Sequence, residues 1–198
     1  MMGVESWSPI LKMAYGVTPP PPGSQNGAST PALLAGEVDT HGKGLWCALQ
    51  SGRFTHLDLG TKVATFVSHQ SLGSSSPLQA IAYHAENQLV ATGSANGLIS
   101  VYDSRNLSST ETKPLFRCKR NGAGVEELAF SQKRTGAGDG VDLVVATTDG
   151  LPFRMDVDGP LPAVVEEFVG YDCDPVRVVR PLGDVVWTAG DDGMVRCY

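Results

Sequence analysis

Residues 89–104, LVATGSANGLISVYDS, read as two strands joined by a tight turn. Leu89, Val90 and Ala91 lead into Gly93, Asn96-Gly97 supplies the turn, and Leu98, Ile99, Val101 and Tyr102 carry the chain away to Asp103. Asn-Gly between apolar runs predicts a type I′ hairpin, whose two central residues both need φ > 0. The spacing from this Gly to the Asp that closes the second strand recurs along the chain. SGRFTHLDL holds Gly52 and Asp58, NGLISVYDS holds Gly97 and Asp103, and DGLPFRMDV holds Gly150 and Asp156. DGMVRCY holds Gly193 and stops at Tyr198, one residue before the Asp falls due.

The four glycines lie 45, 53 and 43 residues apart. A period near 40–45 residues with four short strands per unit is the signature of a β-propeller blade. The recurrent Asp takes the place of the Asp in the Trp-Asp dipeptide of WD repeats, although Leu57, Tyr102 and Met155 stand where the Trp would be. Gly52, Asp58, Gly97, Asp103, Gly150, Asp156 and Gly193 are therefore structural blade positions, and the chain is all-β.

Each unit divides into strands a to d. In the second they are LQAIAYH, LVATGS, LISVYD and PLFRCK; in the third, VEELAFS, DLVVATT, FRMDV and AVVEEFV; in the fourth, PVRVVRP, DVVWTAG and MVRCY. The first unit admits two registers. One takes PALLAGEV, LWCALQSG, FTHLDL and KVATFVS as a to d; the other makes ILKMAYG strand a and PALLAGEV strand b. The b strands are almost continuously apolar, as expected where both sheet faces are covered by neighbouring blades. Pro152 falls at the start of its strand, where the lost amide is best tolerated. TPPPPGSQNGAST, residues 18–30, cannot pack a core and reads as a linker. The organisation is thus an N-terminal segment with a Pro/Gly-rich linker over 1–30 and about three and a half to four blades over 31–198. LGSSSP and RTGAGDG are loops between strands; the Gly136, Gly138 and Gly140 cluster opens no helix and so makes no phosphate cradle. The fourth unit ends in strand c, which reads as the later part of a longer ring entered partway round. Strand edges and apolar blade faces left open in this way predict association.

An apolar fraction of 41% and a charged fraction of 18% are those of a globular domain, and 23 Gly with 13 Pro favour turn-rich β structure. No apolar run is long enough for a membrane-spanning helix, and Glu5 sits where a secretory signal would be basic. Cys47, Cys118, Cys173 and Cys197 lie far apart with no C-x-x-C, a spacing that fits reduced, buried thiols in the cytoplasm or nucleus. Residues 1–123 carry 9 basic and 7 acidic side chains, and residues 124–198 carry 6 and 14. The acidic half argues against a nucleic-acid partner, and fits either a basic protein surface or plain solubility.

No catalytic constellation emerges. His41, His56, His69 and His84 share no metal-ligand spacing, and no nucleophile motif accompanies them. His69 lies just before strand a of the second unit, where WD repeats keep a structural His. The recurrent aspartates belong to the repeat. The chain reads as a binding protein rather than an enzyme, with no cofactor, no metal and no small-molecule substrate.

The last stretch, GYDCDPVRVVRPLGDVVWTAGDDGMVRCY over residues 170–198, resembles the C-terminal end of the proteasomal ATPase-associated factor family. Asp172, Cys173, Asp174, Pro175 and Val176 carry the distinctive part; Asp192, Gly193, Val195, Arg196 and Tyr198 follow. LVATGSANGLISVYDSRN and PALLAGEVDTHGKGLWCALQSG fit the family's two preceding blades, the latter behind a Pro-rich insertion. The resemblance implies a WD-repeat assembly chaperone of the proteasome regulatory particle. It also implies a seven-bladed propeller preceded by a separate N-terminal region, a partner in the C-terminal domain of one regulatory-particle ATPase subunit, and a place in cytoplasm and nucleus. The blades alone also suit a scaffold of another complex, at the nuclear pore, in a ubiquitin ligase or on chromatin.

In a blade the d–a and b–c loops emerge on one face of the ring. The d–a loop of the fourth unit, GYDCDP, places Asp172 and Asp174 there, with Pro175 stiffening the exit. The b–c turns add Asp149, Asp191 and Asp192. These five acids, with Tyr171 as an aromatic anchor, form the candidate partner-binding site. Turn-forming roles for Asp149 and Asp192 and a loop cap at Asp172 are the alternative, since Asp is common in turns.

Overall fold

A computed structural model describes residues 33–38, 43–68, 76–108, 111–133 and 140–198. The N-terminal segment, His41, His69, Gly136 and Gly138 lie outside the described residues. The described residues form four antiparallel sheets, and each is made of strands consecutive in sequence. The first is β1 (Leu33–Val38), β2 (Gly44–Leu49), β3 (Phe54–Asp58) and β4 (Val63–Val67). The second is β5 (Leu78–His84), β6 (Leu89–Ser94), β7 (Leu98–Asp103) and β8 (Phe116–Lys119). The third is β9 (Val125–Gln132), β10 (Val141–Thr147), β11 (Phe153–Asp156) and β12 (Ala163–Glu167). The fourth has three strands, β13 (Val176–Leu182), β14 (Val185–Gly190) and β15 (Val195–Cys197). A single 3-10 turn, Ser104–Asn106, is the one helical element among the described residues.

The expected blades are thus present, and the first takes the register that begins at PALLAGEV: β1 pairs with β2 across Ala35↔Ala48 and Val38↔Leu45. Among the described residues β1 pairs with β2 alone and stands at the edge of its sheet; ILKMAYG, strand a of the rival register, lies outside the described residues.

The hairpins differ from the type I′ expectation. Gly97 has φ +83°, but Asn96 does not take positive φ. The Gly97 amide instead donates to the Ser94 carbonyl at 3.0 Å, closing a four-residue turn in which only its last residue is left-handed. Gly52 and Gly193 repeat this bond to Leu49 and Gly190 at 3.1 and 3.2 Å, with φ +78° and +73°. At Gly97 the Ser94 hydroxyl reinforces the turn, accepting from the Leu98 amide at 2.9 Å and donating to the Asn96 side chain at 2.7 Å, while Leu49 and Gly190 close the same turn without a hydroxyl.

The recurrent Asp closes strand c and caps the way into strand d. Asp58 accepts from the Thr61 amide at 2.8 Å, Asp103 from Arg105 at 3.0 Å, and Asp156 from Asp158 and Gly159 at 2.9 and 3.2 Å. Asp103 is also gripped by the Arg105 guanidinium and Asp156 by Lys133 at 2.8 Å.

The sheets stack face on face through apolar side chains. Trp46, Ala48 and Phe54 of the first blade meet Ile81, Val90 and Tyr102 of the second. Ala80, Ala91, Ile99 and Val101 of the second meet Leu128, Leu143, Val145 and Phe153 of the third. Val144 and Ala146 of the third meet Val179 and Val186 of the fourth, with Phe168 and Tyr171 between. Every residue of β6 and β10 is buried, as their mostly apolar character predicts, including the polar Thr92, Ser94, Asp142 and Thr147. In β14 burial alternates instead: Val186 and Thr188 are covered, Val185 and Trp187 are not.

One buried charge stitches the third blade to the fourth. Glu127 on β9 is 8% exposed, accepts from the Val179 amide at 2.8 Å and pairs with Arg180 at 2.8 Å. Cys47 is buried, Cys118 half-buried, and Cys173 and Cys197 are exposed, so only part of the expectation of buried thiols holds. Burial pushes the Cys47 thiol up to about 12 and Cys118 to about 11.

Candidate functional site

The d–a and b–c loops form one rim, and a repeated backbone bond holds them together. In the second, third and fourth blades the first residue of the b–c turn donates to the carbonyl of a residue ahead of strand a: Ala95 to Pro77 at 2.9 Å, Thr148 to Gly124 at 3.0 Å, and Asp191 to Pro175 at 2.9 Å. Gly97 and Gly150 then seat against the d–a loop of the next blade. A Cβ on Gly97 would lie 2.8 Å from the Asn121 carbonyl oxygen, and one on Gly150 (φ +74°) 2.8 Å from that of Asp174 and 3.0 Å from the Cys173 Cα. Only Gly combines the left-handed conformation with that approach. The d–a loop of the fourth blade is therefore clamped from both sides, by its own b–c turn at Pro175 and by Gly150 beneath Cys173. Cys173 itself takes φ +64°, a left-handed conformation rare outside Gly, Asn and Asp.

The expected acids do gather on this rim, but they differ in availability. Asp191 is held by Arg177, whose Nη2 reaches it at 2.6 Å while Nη1 holds Glu126 at 2.8 Å. This guanidinium keeps the Asp191 carboxyl below the usual range. Asp192 accepts from the Met194 amide at 3.0 Å and pairs with Arg196. Partial burial pushes it up, but those two bonds outweigh this and hold it low. Asp149 accepts from the Asn121 side chain at 2.6 Å and the Leu151 amide at 3.3 Å. All three are committed to the rim's own structure. Asp172 is exposed and Asp174 half-buried, and among the described residues no ion pair engages either. These two carboxylates, on a loop fixed at both ends, are the free negative charge of the site.

Tyr171 does not serve as a surface anchor. It is 7% exposed, packed with Val176, Val179 and Val186, and its hydroxyl bonds the Thr188 hydroxyl across the blade. The Arg196 guanidinium lies over its ring, 4.0 Å from the centroid, and donates to the Gly170 carbonyl at 2.8 Å. The ring lies inward, with its hydroxyl partnered by that of Thr188. Arg177, Arg196 and Asn121 are the residues that sequence reasoning missed. Each neutralises or orients a rim acid, and none is adjacent to that acid in the pattern of the repeat. Among the described residues no group of three His, Cys, Asp or Glu could hold a metal ion, and no helix is long and apolar enough to cross a membrane.

Comparison with known proteins agrees with this geometry. No family model matches the chain. It is 24% identical over 165 residues to "Probable proteasomal ATPase-associated factor 1" of Dictyostelium discoideum, across 82% of this chain and 37% of that protein. Among solved structures it superposes on "Structure of U3-55K" with a TM-score of 0.68 and 19% identity, over 83% of this chain and 48% of that one. "Crystal structure of RRP9 WD40 repeats" gives 0.68 and 19%, over 83% and 47%. A chain of "Crystal Structure of Mitotic Checkpoint Complex" gives 0.64 and 15%, over 81% and 44%. The chain thus spans under half the length of the relatives it matches. The fold is that of WD-repeat β-propellers, and the resemblance read from GYDCDPV holds across most of the chain: it is similar in sequence to a proteasomal ATPase-associated factor 1.

Proposed function

We propose that the protein is a WD-repeat binding scaffold whose rim, at Asp172 and Asp174, receives a basic surface of a proteasome regulatory-particle ATPase subunit during assembly. The observation that carries this reading is the GYDCDPV loop. It is the part of the sequence that singles out the proteasomal factors, and its two carboxylates are the rim acids left without an ion-pair partner. A loop held between Gly150 and the Asp191 amide loses little freedom on binding, which favours recognition of a folded domain. The partner's C-terminal domain, and action in cytoplasm and nucleus, come with the resemblance and belong to this proposal.

The test is binding of the chain to isolated C-terminal domains of the regulatory-particle ATPases. Reversal of Asp172 and Asp174 to Lys is expected to weaken binding to one of them by about 1–3 kcal/mol, chiefly at low salt. Wild-type binding is expected to weaken as salt rises. A folded double variant that binds as tightly as wild type at every ionic strength removes the rim from consideration. Failure of all the ATPase domains to bind, with another complex captured instead, favours a scaffold of that complex.

A further inference from the structure

Among the described residues Lys62, Gln88 and Cys173 take a left-handed backbone without being Gly, at φ +58°, +55° and +64°. Lys62 lies in a c–d turn and Gln88 in an a–b turn, on the opposite rim. Each is held by its own amide, which donates to the Asp58 carbonyl at 2.7 Å and to the Ala85 carbonyl at 3.3 Å. Cys173 closes no such turn among the described residues, and it is exposed. A residue stays in a strained conformation only where its surroundings impose it, and such residues gather at binding loops. Beneath Cys173 lies the third blade. A Cβ built on Gly150 would fall 3.0 Å from both the Cα and the carbonyl carbon of Cys173, and 2.8 Å from the Asp174 carbonyl oxygen. The contact is thus with backbone, at the residue that separates the two free carboxylates. The d–a loop under Gly97 is approached as closely and contains Gly122 and Gly124, yet neither is left-handed. On this rim the strain belongs to the loop that carries Asp172 and Asp174.

We propose that Gly150 is a positioning residue for the rim site, a role that rests on the reading of this rim as the ATPase-binding surface. Its approach enforces the left-handed turn at Cys173, and that turn presets the spacing of the Asp172 and Asp174 carboxylates. The site is therefore shared by two blades: the fourth supplies the charges and the third sets their geometry. A preset pair of carboxylates selects a matching pair of cations fixed on a folded surface. The same cations on a flexible tail gain little from it, because the tail adapts to either spacing and loses its own freedom in both cases.

The test compares two probes, an ATPase C-terminal domain and a hexalysine peptide, on variants that leave every charge in place. Gly150→Ala should weaken binding of the domain at least about tenfold and of hexalysine less than about twofold. Gly193→Ala carries the same backbone strain, at φ +73°, but its Cβ meets nothing within 4 Å, so both affinities should stay as they are. Equal weakening of the two probes, or an unweakened domain, overturns the proposal. Should Gly150→Ala fail to fold, the exposed position itself serves. Cys173→Val, β-branched and averse to the left-handed region, should bind the domain at least about tenfold more weakly than Cys173→Asn, which accepts that region. Equal affinities overturn the proposal. If no ATPase domain binds the unaltered chain, the ATPase reading fails by itself, and urea unfolding decides the positioning role. Cys173→Gly frees the strained residue, so it should recover part of the stability lost to Gly150→Ala; strict additivity of the two changes overturns the proposal.

Discussion

At the scale of single residues, the turn glycines separate conformational strain from packing. Gly150→Ala suffers both a left-handed backbone and a Cβ driven into the Asp174 carbonyl, and should destabilise the protein by about 3 kcal/mol in urea unfolding. Gly193→Ala suffers only the first and should cost about 1 kcal/mol. Equal losses would mean that the loop under Gly150 yields freely. The aspartates give a pH dependence of definite sign. The Arg105 bond holds Asp103 low, the Lys133 bond holds Asp156 low, and Arg177 holds Asp191 low. Depressed carboxyls stabilise the fold above their ordinary value near 3.9, and that contribution is lost as pH falls through the lower folded-state values. Asp142 has the opposite sign: burial pushes its pKa up, so acidification relieves a cost. Among the described residues Asp58, Glu111, Asp149 and Asp192 are held low as well, and only Glu37 joins Asp142 in being pushed up, so the urea midpoint is expected to fall below about pH 4; a midpoint that rises there would refute this balance. The blade positions were legible in the sequence because they recur, and recurrence exposes a backbone requirement. The inward turn of Tyr171 was not, since it depends on Thr188, a residue of another strand.

At the scale of elements, strand identities followed from short apolar runs bounded by turn residues; β5, β6 and β7 coincide with the stretches LQAIAYH, LVATGS and LISVYD. Turn type was less legible. Asn-Gly fits two hairpin geometries, and the one adopted is shared by the turns at Gly52 and Gly193, which hold no Asn. The Glu127 tie was hidden altogether, because Glu126 and Glu127 stand side by side in β9 and the pattern does not tell which of them meets the next blade. Its removal is informative. Glu127→Ala leaves the Val179 amide buried without a partner and should cost about 3 kcal/mol. Glu127→Gln keeps an acceptor for that amide and should recover part of the loss. Thermal unfolding of both variants measures the difference.

At the scale of the molecule, the fold was readable from the period alone, and the acid rim from loop positions. The division of those acids into engaged and free was not. Arg177 joins Glu126 on β9 to Asp191 beyond β14, a pairing between blades that no one-dimensional spacing reveals.

The sheets are each assembled from strands adjacent in the chain, and no ladder joins one sheet to another among the described residues. Backbone pairing can therefore be completed locally, one unit at a time, with little loop-closure entropy to overcome, and cooperativity between units rests on side chains alone. Such a chain does not have to open all at once. The fourth unit, with three strands and one face covered, is the one to open first, and native-state hydrogen exchange should release the amides of β14 and β15 well before those of β6 and β10. Uniform exchange across the four sheets would mean that the blades open as a single unit.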